Sequence, residues 1–280
     1  MTLVARVEKQ IVETPKLTAP KPTSKVDQGN RYSIEAVAKA LDILQVFLNL
    51  KKDSLSFTEI ATSVGLNKNA VFRLLYTLTE KRFLQKASDS GKYSLSPKCI
   101  EMGRSARINN SLRRVALPHM QELRKRFEDT INFAVLEDGQ ICYVEVLESA
   151  HRFKLVASPG DRDPVHSTAL GKAILAHLPE DQVRRIIKVR GTPAITSATI
   201  TSYQALVQEL ENVRRRGYAV NEGEMVEGSR CVAVAILNSR WEVQGAISVS
   251  GPAVRIEEKN IPEIAYCLMK VCSEISRQLD

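Results

Sequence analysis

Residues 56–83 read SFTEIATSVGLNKNAVFRLLYTLTEKRF, and this stretch decides the fold of the first part of the chain. Ser56 with Glu59 three residues later forms a capping-box pattern, which predicts the start of a short helix. Gly65 predicts the end of that helix in a tight turn, because glycine readily adopts the left-handed backbone conformation found there. A second helical pattern follows directly, so the stretch predicts two helices joined by a glycine turn.

The helix after this turn has an apolar stripe and a polar opposite face. Lys68, Asn69 and Arg73 lie on or beside the polar face, with Phe72 at its edge. A short helix, a turn and a helix with a polar N-terminal half are typical of a helix-turn-helix, whose second helix enters the major groove of DNA. The apolar stripe repeats at i, i+3, i+4 and i+7 and contains Val71, Leu74, Leu75 and Leu78.

The flanking segments extend this motif to a winged helix. Residues 34–49 predict an amphipathic helix. Residues 83–96, FLQKASDSGKYSLS, predict two short strands around the turn SDSG, which is the wing. Helix pairs joined at a glycine also occur in ordinary helical domains, and the wing favours the DNA-binding interpretation. The apolar residues of the first helix are Ile34, Val37, Ala38, Leu41, Leu44, Val46 and Leu48.

Charge is distributed unevenly over the 280 residues, whose net charge is +8. Residues 1–115 contain 20 Lys and Arg against 10 Asp and Glu, whereas the remainder contains 20 against 22. A basic first part and a nearly neutral second part indicate a nucleic-acid-binding front end joined to a domain with another role.

Composition excludes several classes of protein. Hydrophobic residues make up 44% of the chain, without an apolar run of the roughly 20 residues that cross a membrane. The charged N-terminus does not resemble a secretory signal, so we expect a cytoplasmic protein without membrane contact. The five cysteines form no CxxC pair, which argues against a disulfide framework or a structural zinc site. We predict no metal and no cofactor.

The second half of the chain alternates between strand and helix patterns. A hairpin is predicted around EDGQ, a further strand at 153–158 (FKLVAS), and two strands that meet across NSRWE. Helices are predicted at TALGKAILAHL, PEDQVRRIIKV, SYQALVQELENVRRRG and the C-terminal IPEIAYCLMKVCSEISRQL. This pattern predicts an α+β domain around a mostly antiparallel sheet.

The stretch 163–178, DPVHSTALGKAILAHL, concentrates residues with chemical potential. It is not a phosphate loop, because it lacks the preceding glycine and has no Ser or Thr after its GK pair. A pair such as Cys231 with His166 leaves nucleophilic catalysis open, although no third orienting group is evident. The start of a helix binds small anions through its backbone N–H groups, and small residues such as Gly171 let a ligand approach. Lys172 is expected to be solvated or paired along its helix.

Three further segments, in this order, carry a resemblance to a known family. They are DPVHSTALGKAILA, RRRGYAVNEGEMVEGSRCVAVAI and GAISVSGPAVRI, and they follow the winged front end. The chain resembles the IclR family of bacterial transcription regulators over about residues 33–279. The resemblance implies a GAF-like effector-binding domain behind the DNA-binding domain, dimers or tetramers, and a palindromic operator.

The resulting organisation is an α+β fold with an N-terminal winged helix-turn-helix, a linker helix and a C-terminal GAF-like α/β effector-binding domain. A helical segment covering 97–128 is expected to break or bend near Pro118. The predicted limits are 1–30 for a disordered arm, 31–96 for the winged helix-turn-helix, 97–115 for the linker helix and 116–280 for the effector-binding domain.

The resemblance also assigns residues to roles. Asn221 stands where the family commonly has Asp, and Ala70 stands where a hydroxyl residue is common. Asn69 and Arg73 are expected to contact bases, since Asn suits adenine and Arg suits guanine. The full set of expected DNA contacts is Thr58, Asn67, Lys68, Asn69, Arg73 and Lys92, with Lys68 and Lys92 on phosphates. The expected effector contacts are Ala169, Leu170, Gly171, Asn221, Cys231, Ser248 and Ser250.

These observations predict a sequence-specific DNA-binding regulator, a repressor rather than an activator, that is controlled by a small carboxylic-acid metabolite. Its expected partners are double-stranded DNA with a palindromic operator and further copies of itself, as a homodimer or homotetramer. Two alternatives stay open at this point. One is an enzyme of Cys/His type with a fused winged helix, and the other is a DNA-binding protein that needs no effector.

Overall fold

The computed structural model of the chain describes residues 33–50, 52–109 and 111–279. The chain divides into two compact units, one ending at Cys99 and the other beginning at Ile100. The predicted arm at 1–30 lies outside the described residues. The division falls within the segment predicted as a linker helix, and the limits proposed for the domains stay predictions.

The first unit is a winged helix-turn-helix. The predicted capping box is present, because Ser56 Oγ accepts from the Glu59 amide and the Glu59 carboxylate accepts from the Ser56 amide. Gly65 then ends the second helix with a left-handed φ of 66°. The elements are α1 (Glu35–Leu50), α2 (Phe57–Val64), α3 (Lys68–Glu80), β1 (Leu84–Lys86) and β2 (Tyr93–Leu95).

Helix α1 buries a different face from the one that its apolar spacing suggests. Ile43, Val46 and Phe47 are buried in the core shared with α2 and α3. The helix has apolar residues on more than one side, and packing against α2 and α3 covers only one of them. Of the apolar residues predicted for this helix, Val46 is buried and Leu44 packs against the core. Four others are exposed: Ile34, Val37, Leu41 and Leu48, at 67%, 53%, 59% and 60%.

Two helices lie between the wing and the first long strand. They are α4 (Pro97–Asn109) and α5 (Ser111–Phe127). Pro118 lies inside α5, so the helix is not broken at this proline, and the bend that was the other expectation stays a prediction. Packing explains why the helix continues through it: Ala116, Met120 and Leu123 are buried on both sides of the proline.

The second unit is built on an antiparallel sheet of strand order β5-β4-β3-β8-β7-β6. Its strands are β3 (Thr130–Glu137), β4 (Gln140–Leu147), β5 (Arg162–Pro164), β6 (Ala219–Glu222), β7 (Ser229–Leu237) and β8 (Val243–Pro252). Its helices are α6 (Ala169–Leu175), α7 (Glu180–Arg190), α8 (Tyr203–Arg216) and α9 (Ile261–Ser276).

Helices cover both faces of this sheet. Alternation along β7 divides its side chains between two apolar cores, since successive strand residues point to opposite faces. Ala233 and Ala235 belong to the core formed with α6, α7 and α8. Val232, Val234 and Ile236 belong to the core formed with α5 and α9. The small alanines on the first face let α6 approach the sheet closely.

Two parts of the sheet differ from the sequence prediction. Residues 153–158 are not a strand; the edge strand is β5, which pairs with β4. The backbone of the 153–158 segment bonds to a side chain instead, because the Leu155 carbonyl accepts from Thr130 Oγ1 at 3.0 Å. Strand β6 was not predicted, since its four residues, AVNE, carry no clear strand pattern.

Candidate functional site

Helix α3 presents a polar and aromatic surface to solvent. Lys68, Asn69 and Arg73 are exposed on it. Two large aromatic side chains that lie one turn apart, Phe72 and Tyr76, are 59% and 65% exposed. Sequence reasoning included Phe72 only at the edge of this face and missed Tyr76. An exposed aromatic ring on such a helix is suited to apolar contact with a thymine methyl group.

The other residues predicted to contact DNA surround this helix in the first unit. Thr58 is exposed in the first turn of α2, and Lys92 is exposed in the wing before β2. Asn67 is the N-cap of α3, and its Oδ1 accepts from the Ala70 amide at 2.9 Å. Asn67 therefore has a structural role as the helix cap. Its Nδ2 group takes no part in that hydrogen bond.

The second unit contains a cavity of about 390 Å³ on the sheet face covered by α6. Strand register places four polar side chains in one row across this face. Asn221 of β6 lies opposite Cys231 of β7, which lies opposite Ser250 of β8, which lies opposite Thr130 of β3. In the next row, Ser248 lies opposite Asn132. The residues lining the cavity include all of these polar side chains together with Tyr143, Lys154, Asp163, Thr168, Ala169 and Leu170.

Six of the seven residues predicted to contact an effector line this cavity. Strand register places four of them, and α6 supplies Ala169 and Leu170. Gly171 does not line the cavity. Its close packing against the backbone of Val165 explains why this position is a glycine. A Cβ at this position would lie 2.3 Å from the carbonyl oxygen of Val165, so only glycine lets α6 pack against that backbone. The role of Gly171 is therefore to bring Ala169 and Leu170 to the cavity.

Three hydrogen-bonded side chains form the polar floor of the cavity. Asn132 Nδ2 donates to Ser248 Oγ at 3.2 Å and to Ser250 Oγ at 3.1 Å. The two serine oxygens lie 3.1 Å apart. Asn132 was missed by sequence reasoning, although an Asn at i+2 from Thr130 in the apolar run TINFAV was a usable signal.

Asn221 connects the cavity wall to the segment that precedes α6. Its Nδ2 donates to the Ser167 carbonyl, and its Oδ1 accepts from the Glu224 amide at 3.0 Å. An Asp could accept from Glu224 but could not donate to Ser167. The amide that distinguishes this chain from the common family pattern therefore makes two backbone bonds, one of which a carboxylate cannot make.

A second polar pair lies at another side of the cavity. Tyr143 Oη donates to Asp163 Oδ2 at 2.9 Å. Burial, with the neighbouring Asp163 carboxylate, raises the pKa of the Tyr143 hydroxyl, which stays protonated. Lys154 is paired with Glu148 at 2.6 Å. Neither Tyr143 nor Asp163 was singled out from the sequence, because single residues in a hairpin and a loop carry no motif.

Cys231 and His166 do not form a nucleophile and base. Burial raises the pKa of the Cys231 thiol to about 11, so the thiolate is a very small fraction at neutral pH. His166 Nε2 lies 3.1 Å from the carbonyl oxygen of Pro193. Because a carbonyl oxygen only accepts hydrogen bonds, Nε2 carries a hydrogen and donates it. Burial also lowers the pKa of His166, so its ring is neutral. His166 therefore has a structural hydrogen bond in this position.

Lys172 is buried, with 2% of its side chain exposed, and this corrects the expectation of a solvated lysine. Its Nζ bonds to Glu224 Oε1 at 2.5 Å and lies 3.6 Å from Glu209 Oε1. Arg216 bonds to the same Glu209 oxygen at 2.8 Å. The charge of Lys172 is compensated by residues distant in sequence, which the spacing along its own helix could not indicate.

The chain thus contains a winged helix-turn-helix and an α+β unit with a cavity of small-molecule size, which is the organisation of a one-component transcription regulator. The model of the bacterial transcriptional regulator IclR C-terminal domain matches residues 106–277, and that of the IclR helix-turn-helix domain matches residues 36–88. The chain belongs to the IclR family of bacterial transcription regulators. The family and the fold class expected from the sequence are both confirmed.

Similar proteins include characterised regulators and a solved structure. The HTH-type transcriptional regulator KdgR of Escherichia coli K12 is 32% identical, over 88% of this chain and 93% of that protein. The transcriptional repressor IclR of the same organism is 28% identical, over 87% of this chain and 89% of that protein. The crystal structure of an IclR transcriptional regulator from Alicyclobacillus acidocaldarius is 28% identical with a TM-score of 0.78, covering 88% of this chain and 99% of that one.

No helix among residues 33–50, 52–109 and 111–279 combines the length and the apolar character needed to cross a membrane.

Proposed function

We propose that this chain is a sequence-specific transcriptional repressor whose affinity for its operator is set by a small organic acid bound in the cavity. The observation that carries the proposal is the cavity itself: about 390 Å³, lined on one sheet face by the hydroxyls of Ser248 and Ser250 and the amide of Asn132. A cavity of this size with few, convergent polar groups is typical of small-ligand sites. In this proposal, a ligand bound in the cavity changes the affinity of the DNA-binding unit for its operator.

The exposed face of α3 supports the DNA-binding half of the proposal. We assign base contacts to Asn69 and Arg73, which are exposed on the helix that enters the major groove. Lys68 and Lys92 are assigned to phosphates, which position the protein without reading sequence. Thr58 at the start of α2 and the Nδ2 group of Asn67 are assigned to the DNA backbone in the same way.

We assign the effector to the polar row and the first turn of α6. Ala169, Leu170, Asn221, Cys231, Ser248 and Ser250 all line the cavity. The thiol of Cys231 is protonated at neutral pH and acts here as a small donor rather than as an anion. A small carboxylic acid offers acceptor oxygens to these donors, so ligand binding changes the packing of α6 against β7 and β8.

A palindromic operator requires two copies of the DNA-binding unit, and α1 offers a surface for the second copy. Ile34, Val37, Leu41 and Leu48 are exposed and follow one face of the helix. Contiguous exposed apolar residues mark interaction surfaces. We propose that this face, defined here as the α1 stripe, pairs with the same face of a second copy in a homodimer, on which a tetramer can be built.

The two alternative functions have less support. An enzyme of Cys/His type needs a reactive thiolate next to a base, whereas the Cys231 thiol has a raised pKa and His166 is bonded to the Pro193 carbonyl. A DNA-binding protein that needs no effector would not require hydroxyl groups buried around a cavity.

A gel-shift experiment tests the proposal. The probe is the DNA upstream of the gene for this chain, titrated with the full-length protein at several salt concentrations, with and without a panel of small carboxylic acids. We expect tight, salt-sensitive and sequence-selective binding that one acid changes at least about tenfold, since allosteric coupling is typically 1–3 kcal/mol. Sequence-selective binding that no acid alters would leave the effector-independent function, and the absence of selective binding would contradict the regulator itself.

A further inference from the structure

Two aromatic side chains of α3 lie outside the core of the first unit. Phe72 and Tyr76 are 59% and 65% exposed, and they stand at i and i+4, so their side chains are neighbours on the surface of the helix. The stripe that α3 buries consists of other residues, Val71, Leu75 and Leu78. The exposed pair therefore contributes little to the core, and contiguous exposed apolar surface of this kind marks an interaction surface.

The surroundings of this pair indicate that its partner is DNA. Asn69 and Arg73, which are also exposed, alternate with the two rings along the first turns of α3. The helix-turn-helix model of the family covers all four residues, since it matches residues 36–88. In such a motif the N-terminal part of the second helix faces the base edges in the major groove. The surface that enters the groove thus combines an amide and a guanidinium group with two rings.

Only one of the four bases offers an apolar group to such a ring. Thymine carries a C5 methyl group at its major-groove edge, whereas guanine, adenine and cytosine present hydrogen-bond donors or acceptors there. The ring of Phe72 has no hydrogen-bonding atom. It therefore gains from contact with a thymine methyl group, and against another base it would displace water without replacing the lost hydrogen bond.

Spacing along the helix lets the two rings reach different base pairs. Residues four apart in an α-helix differ by about 6 Å along its axis, whereas successive base pairs of DNA are about 3.4 Å apart. The separation between Phe72 and Tyr76 is thus longer than one base-pair step. The hydroxyl of Tyr76 lies at the far end of its ring, and the body of the ring is apolar like that of Phe72.

We propose that Phe72 and Tyr76 are specificity-determining residues that select thymines at two positions of each operator half-site, through contact with the C5 methyl groups. The inference rests on the proposed function, in that α3 enters the major groove of an operator. It adds the base that this part of the helix selects and two residues outside the set of DNA contacts predicted from the sequence. The contribution of the rings is distinct from that of Asn69 and Arg73, because a hydrogen bond does not detect a methyl group.

Removal of the thymine methyl groups alone tests the inference. The probe is the DNA upstream of the gene for this chain, synthesised once with thymine and once with uracil, so that the two duplexes differ only in their C5 methyl groups. Gel shifts with the full chain and unrelated competitor DNA compare the two probes. Burial of one methyl group changes affinity about fourfold, so with two rings in each copy we expect the uracil probe to bind at least about tenfold more weakly. Equal binding of the two probes would overturn the inference.

Variants assign the effect of the methyl groups to the two rings. Phe72→Ala/Tyr76→Ala should bind the thymine probe about as weakly as the wild type binds the uracil probe, and it should no longer distinguish the probes. Both side chains are exposed, so alanine should leave the fold intact, which circular dichroism checks. If the double variant binds too weakly to measure, Phe72→Ala and Tyr76→Ala alone should each reduce the difference between the probes by about fourfold.

Two further variants serve as controls. Tyr76→Phe should keep the difference between the probes, because it retains the ring and removes only the hydroxyl. Tyr266→Ala removes another exposed aromatic side chain, 67% exposed on α9 of the second unit, and should also keep the difference. A Phe72→Ala/Tyr76→Ala protein that distinguishes the probes as strongly as the wild type would overturn the inference, and so would a Tyr76→Phe protein that does not distinguish them.

The two proposals fail in different ways. If the wild-type chain binds neither probe in preference to unrelated DNA, the proposed regulator is wrong and the inference falls with it. If it binds the thymine probe selectively but the uracil probe equally well, or if the difference is independent of the two rings, only the inference is wrong.

Discussion

Lys172 and Glu224 illustrate at the residue scale how the second unit holds its cavity in place. Lys172 lies on α6, and Glu224 lies three residues after Asn221, whose Oδ1 accepts from the Glu224 amide. The ion pair therefore ties α6 to the segment that directly follows β6, the strand that carries Asn221. Both side chains are buried, at 2% and 6% exposed, and Glu224 Oε2 has no hydrogen-bond partner within the described residues.

Replacing Lys172 by Met should lower the free energy of unfolding by about 3–5 kcal/mol, because it leaves the Glu224 carboxylate buried without a cation. The measurement is urea unfolding followed by circular dichroism. The double variant Lys172→Met/Glu224→Gln should recover part of the loss, since it removes the uncompensated charge. Arg185→Ala, which removes an exposed pair with Asp181, serves as the control and should leave the unfolding curve unchanged. A Lys172→Met protein as stable as wild type would show that the pair is not a structural requirement.

At the scale of elements, the proposed function gives α3 two kinds of DNA contact, which differ in their dependence on salt concentration. Base contacts contribute to specificity, whereas phosphate contacts contribute affinity through the release of counterions. Arg73 lies on the exposed face, and Lys68 is the first residue of the helix. In the proposed function, Arg73 contacts a base and Lys68 contacts a phosphate, although both are cations.

Arg73→Ala should therefore weaken operator binding by about 1–3 kcal/mol with little change for unrelated DNA. Lys68→Ala should weaken binding to both DNAs and reduce the slope of log K against log salt by about one. Both effects are measured by fluorescence anisotropy of labelled DNA over a salt series. Lys188→Ala removes an exposed cation from α7 of the second unit and should change neither quantity. If Arg73→Ala weakens operator and unrelated DNA equally, Arg73 contacts phosphate rather than a base.

At the scale of the whole molecule, the proposed pairing through the α1 stripe would link oligomeric state to operator binding. The stripe consists of Ile34, Val37, Leu41 and Leu48, all more than half exposed. A single DNA-binding unit reads one half-site, and two units in fixed geometry read a palindrome. Any loss of pairing through this face should therefore weaken operator binding as well.

Leu41→Glu should convert dimers to monomers and weaken operator binding, because it places a charge in the apolar face that pairs. Sedimentation velocity measures the oligomeric state, and the gel shift measures the binding. Ala36→Glu adds the same charge at an exposed position on the opposite side of α1 and should leave both unchanged. An unchanged oligomeric state in Leu41→Glu would exclude the α1 stripe as the dimer surface.

The sequence by itself determined the features that depend on neighbouring residues. The capping box of Ser56 and Glu59, the left-handed Gly65 and the hairpin between β3 and β4 all rest on contacts within a few positions. Such contacts form between residues that are close along the chain, so the sequence predicts them without knowledge of the tertiary structure. The family resemblance extended this to the class of protein and to six residues of the cavity.

Tertiary structure decided which distant residues meet. Asn132 and Ser248 are 116 positions apart, and Lys172 and Glu224 are 52 apart, yet each pair is hydrogen-bonded. Packing also decided that the α1 stripe is exposed, since that helix has apolar residues on more than one side. Strand order and register set these contacts, and they result from the burial of the whole sheet between two layers of helices. No local pattern encodes them, because the free energy that selects one register is summed over all the strands and helices at once.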